Sequence, residues 1–232
     1  MRYKAKKTYE WSPEIAYNVG LMASDGCLSS DGRHLLFVSN DLEQLNNFAK
    51  SINKDLKIKP HNNSYHKTAH RVQFSDTAYY DFLKTIGLTS RKSKTIGHLK
   101  VPGKFYCHFL RGVFDGDGTT YAYYDTRWRA SYMYYTGFAS ASKAFLEYLT
   151  QKNTELIGTK GKSIRNGSRS YSLVYSKKDS YKLYYAMYKK TKGLYLTRKR
   201  DKLASFIKED ENATIKRNAR VLESGRQSRL RF

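Results

Sequence analysis

The chain of 232 residues carries one pattern twice, and that duplication restricts its fold more than any single residue does. The run Val19-Gly20-Leu21-Met22-Ala23-Ser24-Asp25-Gly26 returns as Arg111-Gly112-Val113-Phe114-Asp115-Gly116-Asp117-Gly118, 92 positions later. Each copy leads through a polar turn into an apolar strand ending in serine, at 35–39 and 135–140. A helical pattern follows, with Leu45, Phe48 and Ile52 in the first copy and Leu146, Leu149 and Leu156 in the second. A basic hairpin closes on 71–75 or 172–176, now 101 positions apart, because the second copy has the longer first hairpin. Both copies end in an amphipathic helix (Tyr79, Phe82, Leu83 and Ile86; Tyr181, Tyr184, Tyr185 and Tyr188). Beyond it stands Gly87-Leu88 with Arg91-Lys92, or Gly193-Leu194 with Arg198-Lys199.

Each half therefore reads helix, two strands, helix, two strands, helix: an α+β unit on an antiparallel sheet. The first repeat covers 1–96, a linker with Pro102 covers 97–103, and the second repeat covers 104–210. Residues 211–232 form a basic tail with Lys216, Arg217, Arg220, Arg226, Arg229 and Arg231. It reads either as a short helix around Ile215, Val221 and Leu222 or as a solvated segment ordered by a partner.

Charge narrows the partner. Lys and Arg number 43 against 20 Asp and Glu, a net +23 that opposes compaction and calls for a polyanion. Hydrophobic residues at 40% are too many for a disordered basic chain, so the charge sits on a folded body. The 21 tyrosines offer flat apolar faces with polar tips, suited to bases and sugars. No apolar run is long enough to span a membrane, and the basic start lacks the apolar stretch of a secretion signal. Cys27 and Cys107 make neither a disulfide framework nor a zinc site, so an intracellular, non-secreted protein is expected.

The repeated helix carries the chemistry. Ala16, Gly20 and Ser24 recur every four residues, as do Gly112 and Gly116 after His108, so each helix carries small residues along one face. Two such stripes let the helices pack closely, with Asp25 and Asp117 side by side at their C-terminal ends. Gly26 and Gly118 are expected as helix-terminating glycines. Two carboxylates there face the negative ends of two helix dipoles and each other. Divalent cations resolve that conflict, since carboxylates and free backbone carbonyls suit Mg²⁺ and can support phosphodiester chemistry.

The two segments resemble the LAGLIDADG motif of homing endonucleases, in the single-chain form with two motif copies. Asn18-Val19-Gly20-Leu21-Met22-Ala23-Ser24-Asp25-Gly26 matches loosely, and Leu110-Arg111-Gly112-Val113-Phe114-Asp115-Gly116-Asp117-Gly118 more closely. The resemblance covers about residues 12 to 210. It implies two pseudo-symmetric αββαββα repeats whose antiparallel sheets form a saddle over double-stranded DNA, in a monomer that cuts a long site. It also implies that Asp25 and Asp117 bind catalytic metal, with the backbone carbonyls of Ser24 and Gly116 contributing. Ala23 stands where the motif has an earlier Asp, a position that is not the usual ligand. Mg²⁺ is the expected metal, Mn²⁺ a substitute, and Ca²⁺ an ion that allows binding without cleavage. Intron-encoded and free-standing enzymes both fit, and an intron maturase or a non-cleaving binder of the same fold is the alternative.

The resemblance also implies a basic residue near each metal centre that polarises the attacking water or stabilises phosphorane charge, for which Lys92 and Lys199, paired in the repeat, are the candidates, with Lys94 and Lys100 as local competitors. Surface lysines that touch backbone phosphates are the competing reading. Ser39 and Ser140, with Asn40, end strands beside the presumed site as possible holders of water. The hairpins should supply the DNA surface: Lys57, Lys59, His61, Lys67 and Arg71 in the first half, and Lys160, Lys162, Arg165 and Arg169 in the second. Tyr121, Tyr123, Arg127, Arg129, Tyr132 and Tyr134 are expected on one open face, with Ala122, Tyr124, Trp128, Ala130 and Met133 on the buried side. Gly161-Lys162-Ser163 is not a phosphate loop, because Leu156 stands where the first glycine belongs.

Overall fold

Ser12 starts the first helix: its hydroxyl accepts from Ile15 N at 3.1 Å and Pro13 occupies the first turn, where its missing N–H costs nothing. This computed structural model describes residues 8–62, 68–127, 131–160, 164–190 and 192–229. The first half runs α1 (Pro13–Ser24), β1 (Gly26–Leu28), β2 (His34–Ser39), α2 (Leu42–Ser51), β3 (Lys59–Asn62), β4 (Thr68–Ser75), α3 (Thr77–Thr85). The second repeats that order: α4 (Tyr106–Asp117), β5 (Gly118–Tyr124), β6 (Tyr132–Ser140), α5 (Lys143–Ile157), β7 (Arg165–Asn166), β8 (Tyr171–Ser176), α6 (Lys177–Tyr184). A π-helical turn at Tyr185–Lys189 extends α6, and α7 runs from Thr197 to Arg229.

The two antiparallel sheets have equivalent orders, β1-β2-β4-β3 and β5-β6-β8-β7. The α+β duplication read from the sequence is therefore present element for element. In each sheet one face packs on helices and the other stays open. Leu35, Phe37 and Val72 are buried on the first, while His34, Arg71 and Gln73 lie on the face between them.

Helices α1 and α4 meet at the centre of the molecule. A Cβ on Gly20 would lie 2.2 Å from Phe109 O, and one on Gly112 would lie 2.1 Å from Tyr17 O. Backbone therefore touches backbone, as the small-residue stripes predict. One detail differs from expectation. Gly26 and Gly118 do not end their helices in the left-handed region: Gly118 has φ −74° and both open β-strands. They are glycines because a Cβ would strike the preceding turn, 2.6 Å from Met22 Cα and 2.4 Å from Phe114 O. That lets the chain turn from helix into strand without drawing away from it.

Gly112→Ala is expected to force the two helices apart, because backbone atoms cannot rotate out of the way. A loss of about 3 kcal/mol follows from overpacking of this kind. For a chain of this size that lowers the melting midpoint by about 6–12 °C, measurable by calorimetry. An unchanged midpoint would mean that the helices do not touch through this glycine.

Helix α7 passes position 210 without a break, so the start of the tail continues the last helix rather than forming a separate short one. Its buried Leu203 and Ile207 and half-buried Phe206 cover the helix-packed side of the second sheet, where Phe206 meets Tyr132 edge-on. The expected linker is also packed down, with Leu99 fully buried and Val101 nearly so.

Candidate functional site

The touching helices deliver their last residues to one place. Asp25 closes α1 and Asp117 ends α4. Each carboxyl group keeps an open side to solvent, yet protein on the other sides strips its water. Burial, then the like charge of Asp25, pushes Asp117 up to about 6. Burial also raises Asp25, against the opposing pull of Lys199 and Lys92. The four groups singled out from the repeat thus feel one another's charge.

The lysines do something the sequence did not show. Lys92 Nζ donates to Ser24 O at 3.0 Å. Lys199 Nζ donates to three carbonyls, Phe114 O at 2.8 Å, Gly116 O at 2.7 Å and Gly118 O at 2.8 Å. Each ammonium therefore sits on the negative end of a repeated helix, where a cation is favoured. Burial lowers both, Lys199 to about 8. The pair is unequal: Lys199 commits three N–H donors to backbone and Lys92 commits one.

A cleft of about 350 Å³ opens between the first sheet and the end of α4. Asp25, Asn40, Asp41, Gln44, Gly116 and Arg198 are among the residues that line it. Gln44 is a site residue that sequence reasoning missed. Its amide donates to Asp115 O at 3.0 Å and lies within hydrogen-bonding influence of Asp25. Ser39, read as a possible holder of water, instead donates to Gln44 Oε1 at 2.7 Å and accepts from Asp41 N at 2.9 Å. Ser140 likewise accepts from Ser142 N ahead of α5.

Asp115 was also missed as a working residue. It is fully buried, and its Oδ2 accepts from Tyr17 OH and from Leu196 N, both at 2.7 Å. Burial raises it to about 6. The signal was present in the duplication itself, since the second motif has Asp where the first has Ala23.

Hard oxygen donors are what this place offers. Among the described residues no group of three or more His, Cys, Asp or Glu comes together, so the set is two carboxylates plus the carbonyls of Ser24 and Gly116. A carbonyl oxygen holding a lysine N–H retains a second lone pair. Such a set fits Mg²⁺, which binds through one or two carboxylates and keeps several waters.

The expected DNA residues divide. In the first half Lys57, Lys59 and Arg71 line one groove with His34 and Gln73, and register places Lys59 opposite Arg71. His61 lies two residues along the same strand face, opposite Ala69. In the second half Tyr121 and Tyr123 are exposed, and both stack on Tyr135 with ring centroids 5.0 and 5.8 Å apart. Lys160, Arg165 and Arg169 are exposed, with Arg165 opposite Ser172, while exposed Arg127 pairs with Asp125 at 2.9 Å. Tyr132 and Tyr134 are not on this face: they are 8% and 2% exposed, on the helix-packed side. The reason is register. Tyr121 pairs with Tyr135 and Tyr123 with Met133, so the hairpin carries odd positions onto odd positions with no change of phase. Met133 accordingly shares the open face, and Tyr124 reaches Glu209 on α7 through a hydrogen bond of 2.6 Å. Lys67, Arg129 and Lys162 lie outside the described residues, as do Trp128 and Ala130.

These shifts predict a pH effect in the metal-free protein. A carboxyl group raised on folding holds its proton more tightly in the folded chain, so its destabilising charge is absent below about pH 4 and complete above about pH 6 to 7. The melting-midpoint advantage of Asp117→Asn over the native protein should therefore grow from near zero at about pH 4 to a plateau above about pH 7. A constant or shrinking difference would contradict the crowding of the two carboxylates.

No protein-family model matches the chain, and no curated protein sequence does. Solved structures match its fold. The LAGLIDADG meganuclease I-AabMI, bound to uncleaved DNA, aligns with TM-score 0.60 at 13% identity over 89% of this chain and 92% of that one. The LAGLIDADG homing endonuclease I-LtrWI, bound to target DNA, aligns with TM-score 0.59 at 12% identity over 91% and 96%. Full-length WhiA from Thermatoga maritima aligns with TM-score 0.55 at 14% identity over 95% and 71%. At identities this low the likeness shows the architecture alone, which is the two-repeat LAGLIDADG homing-endonuclease fold.

Proposed function

We propose that this chain, on the fold it shares with those DNA-bound enzymes, is a site-specific DNA endonuclease that cuts both strands of a long duplex target. One observation carries the reading: two equivalent helices bring an aspartate each, with a lysine each, to a shared point between two open basic sheets. Asp25 and Asp117, with the carbonyls of Ser24 and Gly116, would hold Mg²⁺, which supplies Lewis-acid stabilisation of phosphate charge and a more acidic water. Lys92 and Lys199 hold positive charge beside the reacting phosphates and keep the helix ends in place. Gln44 fixes the Asp115 carbonyl next to Gly116. Lys57, Lys59, Arg71, Arg165 and Arg169 neutralise backbone phosphates, and Gln73 with the tyrosine stack at Tyr121, Tyr123 and Tyr135 faces base edges. Hydrolysis uses water directly, with no covalent intermediate, in a monomer whose two halves each act on one strand.

One observation favours a second reading. The carbonyls of Ser24 and Gly116 already accept from lysine, an arrangement that also suits a non-cleaving nucleic-acid binder, an intron maturase among them. The deciding experiment offers the purified protein the uninterrupted host sequence spanning the position of its reading frame, with Mg²⁺, Mn²⁺ or Ca²⁺. One double-strand cut with Mg²⁺ or Mn²⁺, and binding alone with Ca²⁺, is expected. Tight binding to its own transcript with no cut in any metal would replace this reading by the second.

A further inference from the structure

The segment leading to Lys199 is held by the opposite half of the molecule. Asn47 Nδ2 donates to Tyr195 O at 2.8 Å. Thr197 donates to Glu43 twice, from its backbone N–H at 3.1 Å and from its hydroxyl at 2.5 Å. Arg198 Nε pairs with Asp41 Oδ2 at 2.8 Å. Leu196 N is taken by Asp115. All four residues before the lysine are thus engaged, three of them by α2 and its cap. Glu43 and Asn47 stand one turn apart on one face of α2. Asp41 caps that helix with Oδ1, taking Glu43 N at 3.0 Å, and its other oxygen meets the arginine.

The equivalent helix in the second half is built otherwise. Where α2 has Asp41, Glu43 and Asn47, α5 has Ser142, Ala144 and Tyr148. Ser142 donates to Ile96 O at 2.5 Å and Tyr148 meets His98 edge-on at 4.8 Å. Both contacts fall after Lys92, whereas Thr89 and Arg91 ahead of it are exposed. Lys92 stands at the head of its own short 3₁₀ turn, Lys92–Lys94.

We infer that Glu43 and Asp41 are positioning residues for Lys199: the first half fixes the backbone from which the second half's lysine reaches the carbonyls of Phe114, Gly116 and Gly118. Lys92 receives no such hold from α5. The two half-sites are therefore unequally built, and one depends on a residue of its opposite half. Only the cleavage arm of the test below rests on the nuclease reading.

The first arm needs neither metal nor DNA. Native, Glu43→Ala and Glu43→Gln proteins are treated with a small amine-acylating reagent, and modification of Lys92 and Lys199 is followed by mass spectrometry. Lys199 should react several-fold faster in Glu43→Ala while Lys92 is unchanged. Glu43→Gln, whose amide oxygen still accepts from Thr197, should restore most of the protection. In the second arm, each strand of the target duplex is end-labelled. Glu43→Ala should slow the cutting of one strand about tenfold or more, a cost ordinary for a displaced charge, with the other strand and Ca²⁺-supported binding unaltered. Unchanged Lys199 reactivity, or equal acceleration at both lysines, would overturn the inference. Selective exposure of Lys199 in a protein that cuts no DNA would uphold the positioning and count against the nuclease.

Discussion

Replacing Asp25 or Asp117 with Asn is expected to abolish cutting of at least one strand, by about 10³-fold or more, while duplex binding in Ca²⁺ survives. The substitution keeps shape and one acceptor oxygen but removes the negative charge that a hard cation requires. The fold should tolerate it, since each aspartate sits where helix dipole and like charge disfavour it. Asp25→Asn should also let Asp117 fall from about 6 toward the ordinary carboxylate range, because the charge of Asp25 is the second cause of its elevation after burial. Strand-resolved nicking gives the first result, and carboxyl titration by NMR in the metal-free protein gives the second. Normal double-strand cleavage by either variant would remove that aspartate from the chemistry.

The second large effect is expected at Lys199. Lys199→Met keeps the length of the stem but strips three backbone carbonyls of their shared donor. It also takes a positive charge from beside Asp115, Asp25 and Asp117. Loss of a preorganised charge of this kind costs on the order of 10²–10³ in rate, concentrated on one strand. Lys92→Met removes a single carbonyl contact, so it should disturb melting less and its loss of rate should fall on the opposite strand. Comparing nicked products from the two variants on an asymmetrically labelled duplex assigns each lysine to a strand. Equal loss on both strands from either variant would show that the two halves do not act separately.

The element order was legible because duplication is a constraint that survives without tertiary knowledge: both halves had to make the same unit. The close helix pair was legible for a similar reason, since small residues four apart on two matched helices, Ala16, Gly20 and Ser24 on one and Gly112 and Gly116 on the other, leave little else to explain them. The phase of β6 was not. It depends on which residues pair across the hairpin, here Tyr124 with Tyr132, and neither composition nor spacing gives that register. Asp115 escaped because its meaning lies in Leu196, 81 positions away, from whose backbone N–H it accepts. Glu43 and Asn47 escaped likewise: on a helical wheel they are ordinary polar residues of an amphipathic helix. Their partners come from 148 and 154 positions downstream.

The contact between Gly20 and Gly112 also sets an interval. With backbone against backbone, the distance between the ends of α1 and α4 is fixed by main-chain dimensions and not by any choice of side chain. The open sheet faces, in contrast, are surfaces of exchangeable residues such as Lys59, Arg71, Tyr121 and Arg165. On the proposed function, such a protein can drift in what it recognises while the gauge between its two reactive points stays constant. Under that reading, new targets would be reachable by surface substitution alone, without rebuilding the centre.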